Sequence, residues 1–204
     1  MAQNTRGIRA VLSHPTIYSL FQTIMGAHEV RDFFVKEFVR PKIGDKVLDV
    51  GCGPADILDY MPDINYWGFD ISEPYIKRAK DKFGDRGQFR CNMVTEAELS
   101  KLPAFDVVLA IGLLHHLDDI EAQELLVLLH STLRTGGRLL TLDPCIDVDQ
   151  SMISRFLVLQ DRGQNVRTKK GYSLLAEQAF DVTRAEVRHK RWLPYSHCFM
   201  EIVR

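Results

Sequence analysis

The sequence predicts an α/β fold: a doubly wound, mostly parallel seven-stranded sheet with helices on both faces and a C-terminal antiparallel β-hairpin. Three observations carry this prediction. Short β-branched runs alternate with longer stretches of helical periodicity from residue 46 to residue 142, the rhythm of βαβ crossovers and a parallel sheet. The run Phe105-Asp106-Val107-Val108-Leu109-Ala110-Ile111 is nearly continuously apolar, as a strand covered on both faces should be. Near the C-terminus, Val182–Trp192 and Ser196–Val203 are strand-like and separated only by Leu193-Pro194-Tyr195. So short a link forces an antiparallel pair, because a parallel return needs about a dozen residues.

The elements follow in order. Residues 12–40 carry Ile17, Leu20, Phe21, Ile24, then Val30, Phe33, Phe34 and Phe38 at helical spacing, with Gly26 and Pro41 punctuating two short helices. Lys46–Val50 reads as a buried strand that ends at Gly51 and runs into a helix. Tyr66–Asp70 is the second strand, and Ser72-Glu73-Pro74 opens a helix through Phe83 with Ser72 as its cap. Gln88–Cys91 is the third strand and Phe105–Ile111 the fourth. An amphipathic helix from Asp118 to about Thr135 is ended by Gly136-Gly137, and Arg138–Leu142 forms the fifth strand. Residues 146–180 hold two helix-like runs, Met152–Gln160 and Tyr172–Phe180, around a polar loop. The aromatic stripe Phe33, Phe34 and Phe38 reads as core.

A chain of 204 residues suits one domain. We divide it into an N-terminal helical lid (1–42), a core (43–145), a helical insertion (146–180) and the terminal hairpin (181–204). Apolar residues at 46% and charged residues at 26% are ordinary for a globular protein. A net charge of −1 argues against a protein that coats nucleic acid by bulk electrostatics. Met1–Arg9 is polar and basic with no apolar h-region after it, and no run approaches the ~20 apolar residues of a membrane span. Cys52, Cys91, Cys145 and Cys198 are scattered, which fits reduced thiols better than a disulfide framework or a metal site. These readings point to the cytoplasm, with no membrane partner and no metal.

A strand ending in Asp49-Val50-Gly51-Cys52-Gly53 lets the main chain turn tightly and approach a ligand without a Cβ in the way. Asp70, at the end of the second strand, stands where an acid accepts hydrogen bonds from the ribose hydroxyls of an adenosine. A dinucleotide fingerprint needs a third glycine where this chain has Asp56, whose carboxylate would oppose a pyrophosphate. That speaks against a nicotinamide oxidoreductase, and no Gly-Lys-Ser/Thr follows for a nucleotide phosphate loop.

Val47-Leu48-Asp49-Val50-Gly51-Cys52-Gly53-Pro54 resembles motif I of the class I S-adenosylmethionine-dependent methyltransferases, a Rossmann-like superfamily. Phe69-Asp70-Ile71-Ser72, Phe105–Val108 with Leu113-Leu114-His115-His116-Leu117, and Leu133-Arg134-Thr135-Gly136-Gly137-Arg138-Leu139 resemble its later motifs in the same order, over residues 43–145. The resemblance implies S-adenosyl-L-methionine as cofactor and S-adenosyl-L-homocysteine as product. It implies that Gly51, Cys52 and Gly53 face the methionine part and that Asp49 orders that loop near the amino group. It places Asp70 on the ribose, Ile71 on the adenine face, Asn92 and Met93 at the adenine edge, and the Ala110 carbonyl on the amino group. Relatives often carry an acid at the Asn92 position and a glycine at the Ala55 position.

Methyl transfer from a sulfonium needs alignment and exclusion of water; a base is needed only when the nucleophile must lose a proton. His115 and His116, after the fourth strand, are candidate bases or merely packing groups. Asp143, after the fifth, is a third candidate or the start of an Asp143-Pro144 turn. Trp192, Tyr195 and His197 at the hairpin tip, and Tyr18 in the lid, either line the acceptor pocket or serve as ordinary structural residues. Residues 155–191 hold nine lysines and arginines against four acids, a surface that would suit an anionic acceptor. The reading is methylation of an oxygen or nitrogen of a small molecule. An RNA or protein methyltransferase, or a domain that binds the cofactor without catalysis, is the alternative. Nucleic acid is not favoured, since no aromatic-interleaved basic stripe is present.

Overall fold

The computed structural model describes residues 27–159, 163–178, 180, 182–189 and 195–204. Tyr18 and Trp192 lie outside them, as does the first predicted helix. Helix α1 (Ala27–Phe34) continues as a π-turn over Val35–Val39 and stops at Arg40, whose left-handed backbone (φ 44°) closes it. Strands β1 (Lys46–Val50), β2 (Asn65–Asp70), β3 (Gln88–Cys91) and β4 (Phe105–Ile111) match the apolar runs. Helix α2 (Glu73–Phe83) links β2 to β3, and the short helix α3 (Glu96–Leu99) precedes β4. Helix α4 (Asp119–Ser131) is opened by a capping box of Asp118 and Glu121.

Strand β5 (Leu133–Ile146) leads to helix α5 (Met152–Leu159). The two-residue strand β6 (Arg167–Thr168) comes next, then helix α6 (Lys169–Glu177). Strands β7 (Val182–His189) and β8 (Ser196–Val203) form the terminal hairpin.

The sheet runs β3-β2-β1-β4-β5-β8-β7, with β6 beside the end of β5. Pairs β3·β2, β2·β1, β1·β4 and β4·β5 are parallel, and β8 is antiparallel to both β5 and β7. This is the predicted fold, with the two-residue β6 as an addition. One apolar layer packs Leu48, Val50, Val108 and Ala110 with Leu126, Leu129 and Leu175 of α4 and α6. The other packs Val47, Val107 and Leu109 with Phe34, Phe38, Ile76 and Phe83 of the α1–α2 side. The aromatic stripe is core as expected, since Phe34 and Phe38 are fully buried.

Several local expectations are corrected. Gly136-Gly137 do not end α4, which stops at Ser131, where the Thr132 hydroxyl donates to the Leu129 carbonyl. They sit inside β5, at the register shift against β4, with Gly136 at φ 75°. Strand β5 runs to Ile146, so Asp143-Pro144 is not a turn: Asp143 pairs with Cys198 and Pro144 with His197 of β8. The glycine loop leads to a single 3₁₀ turn (Asp56–Tyr60) rather than a helix. Ser72 precedes α2 without a side-chain cap bond. Helix α4 is less cleanly amphipathic than its spacing suggested, because Ile120 and Val127 remain exposed.

Candidate cofactor and acceptor site

The carboxyl ends of β1 to β5 share one edge, and the strand order reverses between β1 and β4, where open α/β sheets bind ligands. The loop after β1 lies there. Gly51 and Gly53 have φ of 73° and 54°, and a Cβ on Gly53 would meet nothing within 4 Å. Ala55 also adopts a left-handed backbone, φ 57°, which explains why glycine suits this position in the motif. The amides of Gly51 and Cys52 both donate to the Phe69 carbonyl, at 2.8 and 3.0 Å. Gly53 N–H donates to Asp70 Oδ2 at 2.9 Å, and Ser72 N–H to Asp70 Oδ1 at 2.8 Å. One carboxylate thus clasps the loops after β1 and β2.

Asp49, in β1, is fully buried and in register with Gly68 and Leu109. Its Oδ2 accepts from the Tyr66 hydroxyl at 2.7 Å, while Oδ1 is buried with no hydrogen-bond partner. Burial pushes its carboxyl up to about 7, the Tyr66 bond holds it down, and the charge of Asp70 pushes it up further. Burial also drives the Cys52 thiol upward, with Asp49 and Asp70 adding to the effect. Beyond β3, Asn92 Oδ1 is likewise buried without a partner. Ile71 and Met93 expose 56% and 62% of their surface at the same edge, apolar faces with no cover of their own. Ala110 is buried in β4 opposite Val50.

The three candidate catalytic residues come together. His115 Nδ1 lies 2.9 Å from Asp143 Oδ1, which also accepts from the His115 amide at 3.2 Å. Both side chains are buried, and the His116 ring is 4.0 Å from that of His115. Asp143 Oδ2 is buried without a partner. Tyr195 and His197 also meet, at 5.1 Å between rings. They do not join the first group. Asp143 shares a sheet face with Cys145 and Cys198, whereas His197 lies opposite Pro144 and beside Phe199 on the other face.

Sequence reasoning missed Tyr66 and the residues that seal His115. Tyr66 had a signal, since it sits on the same face as position 49 with Gly68 leaving room beside it. A Cβ on Gly163 would fall 2.0 Å from His115 Cδ2, and Asn165 N–H donates to the His115 carbonyl at 3.0 Å. Arg167 pins that segment through Asp119 and the Leu114 and Leu117 carbonyls. Much of the basic surplus is spent internally: Arg184 and Arg188 pair with Glu186 and lie over Phe38 and Phe33. Among the described residues no cluster of His, Cys, Asp and Glu is arranged to hold a metal, and no helix is long and apolar enough to cross a membrane.

Residues 48–139, which span the glycine loop, the Asp70 clasp and His115, match the family described as methyltransferase domain. This match, with the sheet order described above, supports a class I S-adenosylmethionine-dependent methyltransferase. S-adenosylmethionine is the cofactor of that family. The chain is 35% identical over 106 residues to 27-O-demethylrifamycin SV methyltransferase of Amycolatopsis mediterranei (strain S699), covering 48% of this chain and 38% of that protein. It is 28% identical over 138 residues to the ubiquinone/menaquinone biosynthesis C-methyltransferase UbiE of Burkholderia mallei (strain SAVP1), covering 62% and 55%. It therefore spans well under two thirds of either relative. The fold is shared with the pyocyanin biosynthetic protein PhzM at a TM-score of 0.72 and 18% identity, over 98% of this chain and 62% of the other.

Proposed function

We propose that this methyltransferase moves the methyl group of S-adenosylmethionine to an oxygen or nitrogen of a small-molecule acceptor. One observation carries the cofactor part. The edge of β1 to β3 is rich in acceptors and poor in free donors: Asp49 Oδ1 and Asn92 Oδ1 are buried without partners, and the loop amides are already given away. Buried oxygens of this kind need donors. An ammonium group, ribose hydroxyls and an adenine amino group bring them, whereas a phosphate does not. When bound, the cofactor supplies a methyl activated by its sulfonium.

The chain's own residues then hold and align. Asp49, with Gly51, Cys52, Gly53 and the Ala110 carbonyl, receives the methionine end. Asp70 takes the ribose hydroxyls with the acceptor capacity its two backbone bonds leave over. Ile71 and Met93 cover the adenine, and Asn92 Oδ1 accepts from its amino group. For an acceptor that must lose a proton, the His115–Asp143 pair with His116 tilted against it is a group at this edge able to take it, Asp143 fixing the imidazole as a triad acid does. Tyr195 and His197 line the acceptor side of the other face. A small acceptor is supported by the rifamycin-type relative, and an anionic group on it would be met by the exposed Lys169 and Lys170.

The test is calorimetry with S-adenosylmethionine and S-adenosylhomocysteine, followed by incubation of labelled cofactor with separate pools of metabolites, RNA and protein. Tight binding and label in a small molecule are expected. Absence of binding would sink the cofactor assignment, and label confined to RNA or protein would overturn the acceptor class.

A further inference from the structure

Asp49 is an uncomfortable carboxylate in the free chain. It is completely enclosed, one oxygen has a single neutral donor, and the other has none. The titratable groups acting on it are the Tyr66 hydroxyl from β2 and Asp70 at the end of β2, a charge of like sign, while Asp49 in turn drives the nearby Cys52 thiol upward. Its partners across the sheet, Gly68 and Leu109, are apolar. A charge so placed needs either a cation or a proton.

Resting on the cofactor site proposed above, we propose that Asp49 is the counter-ion of the cofactor's cationic methionine end and enters that role by releasing a proton. Cofactor binding and proton release are then one coupled event. The direction follows from linkage. Burial holds the free carboxyl at about 7, and a cation beside it lowers that value in the complex. Between the two values, binding expels a proton. As pH falls below about 7, affinity therefore drops, approaching tenfold per unit, and above it levels off. Tyr66 sets the point on the scale, because its hydroxyl stabilises the ionised form.

The test is titration calorimetry of the whole chain with S-adenosylmethionine at pH 6, 7 and 8, each in two buffers of different ionisation heat. The cofactor's own amino group, with a value near the ~8 of an α-amine, stays protonated at pH 6 and adds nothing there, so the difference between variants at pH 6 isolates Asp49. Expected is an excess release of about one proton at pH 6 over Asp49→Asn, shrinking toward none at pH 8. Tyr66→Phe, which preserves the ring, should carry the release to higher pH. Equal proton counts in wild type and Asp49→Asn would overturn the proposal. Should Asp49→Asn not fold, an unmoved profile in Tyr66→Phe would overturn it as well. Failure of the wild type to bind at any pH would instead refute the cofactor site itself.

Discussion

Asp70→Ala separates the loop clasp seen in the structure from the ribose contact proposed for the same carboxylate. The side chain is half-buried and accepts from Gly53 N–H at 2.9 Å and Ser72 N–H at 2.8 Å. Hydrogen bonds to a charged group are worth about 1.5–3 kcal/mol each when buried, and water replaces part of that at an open edge. A total stability loss of about 1–2 kcal/mol is expected, which for a chain of this size lowers Tm by about 2–8 °C. Losing the ribose contact adds a binding penalty of about 1.5–3 kcal/mol, a rise in Kd of roughly tenfold to a hundredfold. Calorimetry against S-adenosylhomocysteine and thermal denaturation of the same sample read both. Asp70→Asn keeps one acceptor oxygen but no charge, so its Tm should fall between the two. If Asp70→Ala lost stability as expected yet bound within twofold of wild type, Asp70 would be a loop clasp only and the ribose assignment would be wrong.

Three further outcomes follow from the packing and titration. Gly137→Ala should destabilise by about 2–4 kcal/mol, because its Cβ would lie 2.9 Å from the Arg134 and Phe105 carbonyl oxygens, which are backbone and cannot move aside. Gly44→Ala meets open space and should cost only the ~1 kcal/mol of a left-handed backbone at φ 84°; equal Tm losses in the two variants would contradict this. Arg138→Met should cost about 2–4 kcal/mol in urea unfolding, since Arg138 donates to the Phe38 and Val39 carbonyls and pairs with the buried Glu201, leaving Arg40 as that acid's cation. For pH, the Asp49 carboxyl is raised in the folded state, so its contribution is fully present below about 4 and is lost as pH rises through about 7. Without cofactor, the stability of the wild type should therefore decline from pH 5 to pH 8 relative to Asp49→Asn; parallel curves would be the contrary result.

Strands β1 and β4 were legible to the residue, because each is a short, largely apolar run bounded by glycine or proline signals that local sequence supplies. The failures were non-local. Gly136-Gly137 read as a helix stop because a stop and a bulge both ask for a missing Cβ, and only the closeness of Gly137 to the Phe105 carbonyl tells them apart. Asp143-Pro144 carries the local chemistry of a turn, but pairing with β8 overrides it. His115 and Asp143 stood as separate candidates because their contact joins residues 28 apart across two strand ends. The residues of the proposed cofactor site stand out as a motif, and their electrostatics do not.

Those electrostatics decide what the glycine loop is for. In a dinucleotide site the turn leaves its amides pointing at phosphate. Here the amides of Gly51, Cys52 and Gly53 are consumed by the Phe69 carbonyl and Asp70, so the loop offers an anion little. What remains at the same edge is negative or acceptor in character: Asp49, Asp70 and the Asn92 oxygen, while Asp56, where a third glycine would stand, is paired with Lys82. On the proposed cofactor site, the same chain geometry serves as a cation cradle rather than an anion cradle. Asp70 does this by a charge near the surface that also fastens the loop. Asp49 does it by a charge held so deep that it persists near neutrality only with help. A sulfonium-bearing, ammonium-bearing ligand is the kind that supplies such help, which is why the loop and the two acids have to be read together.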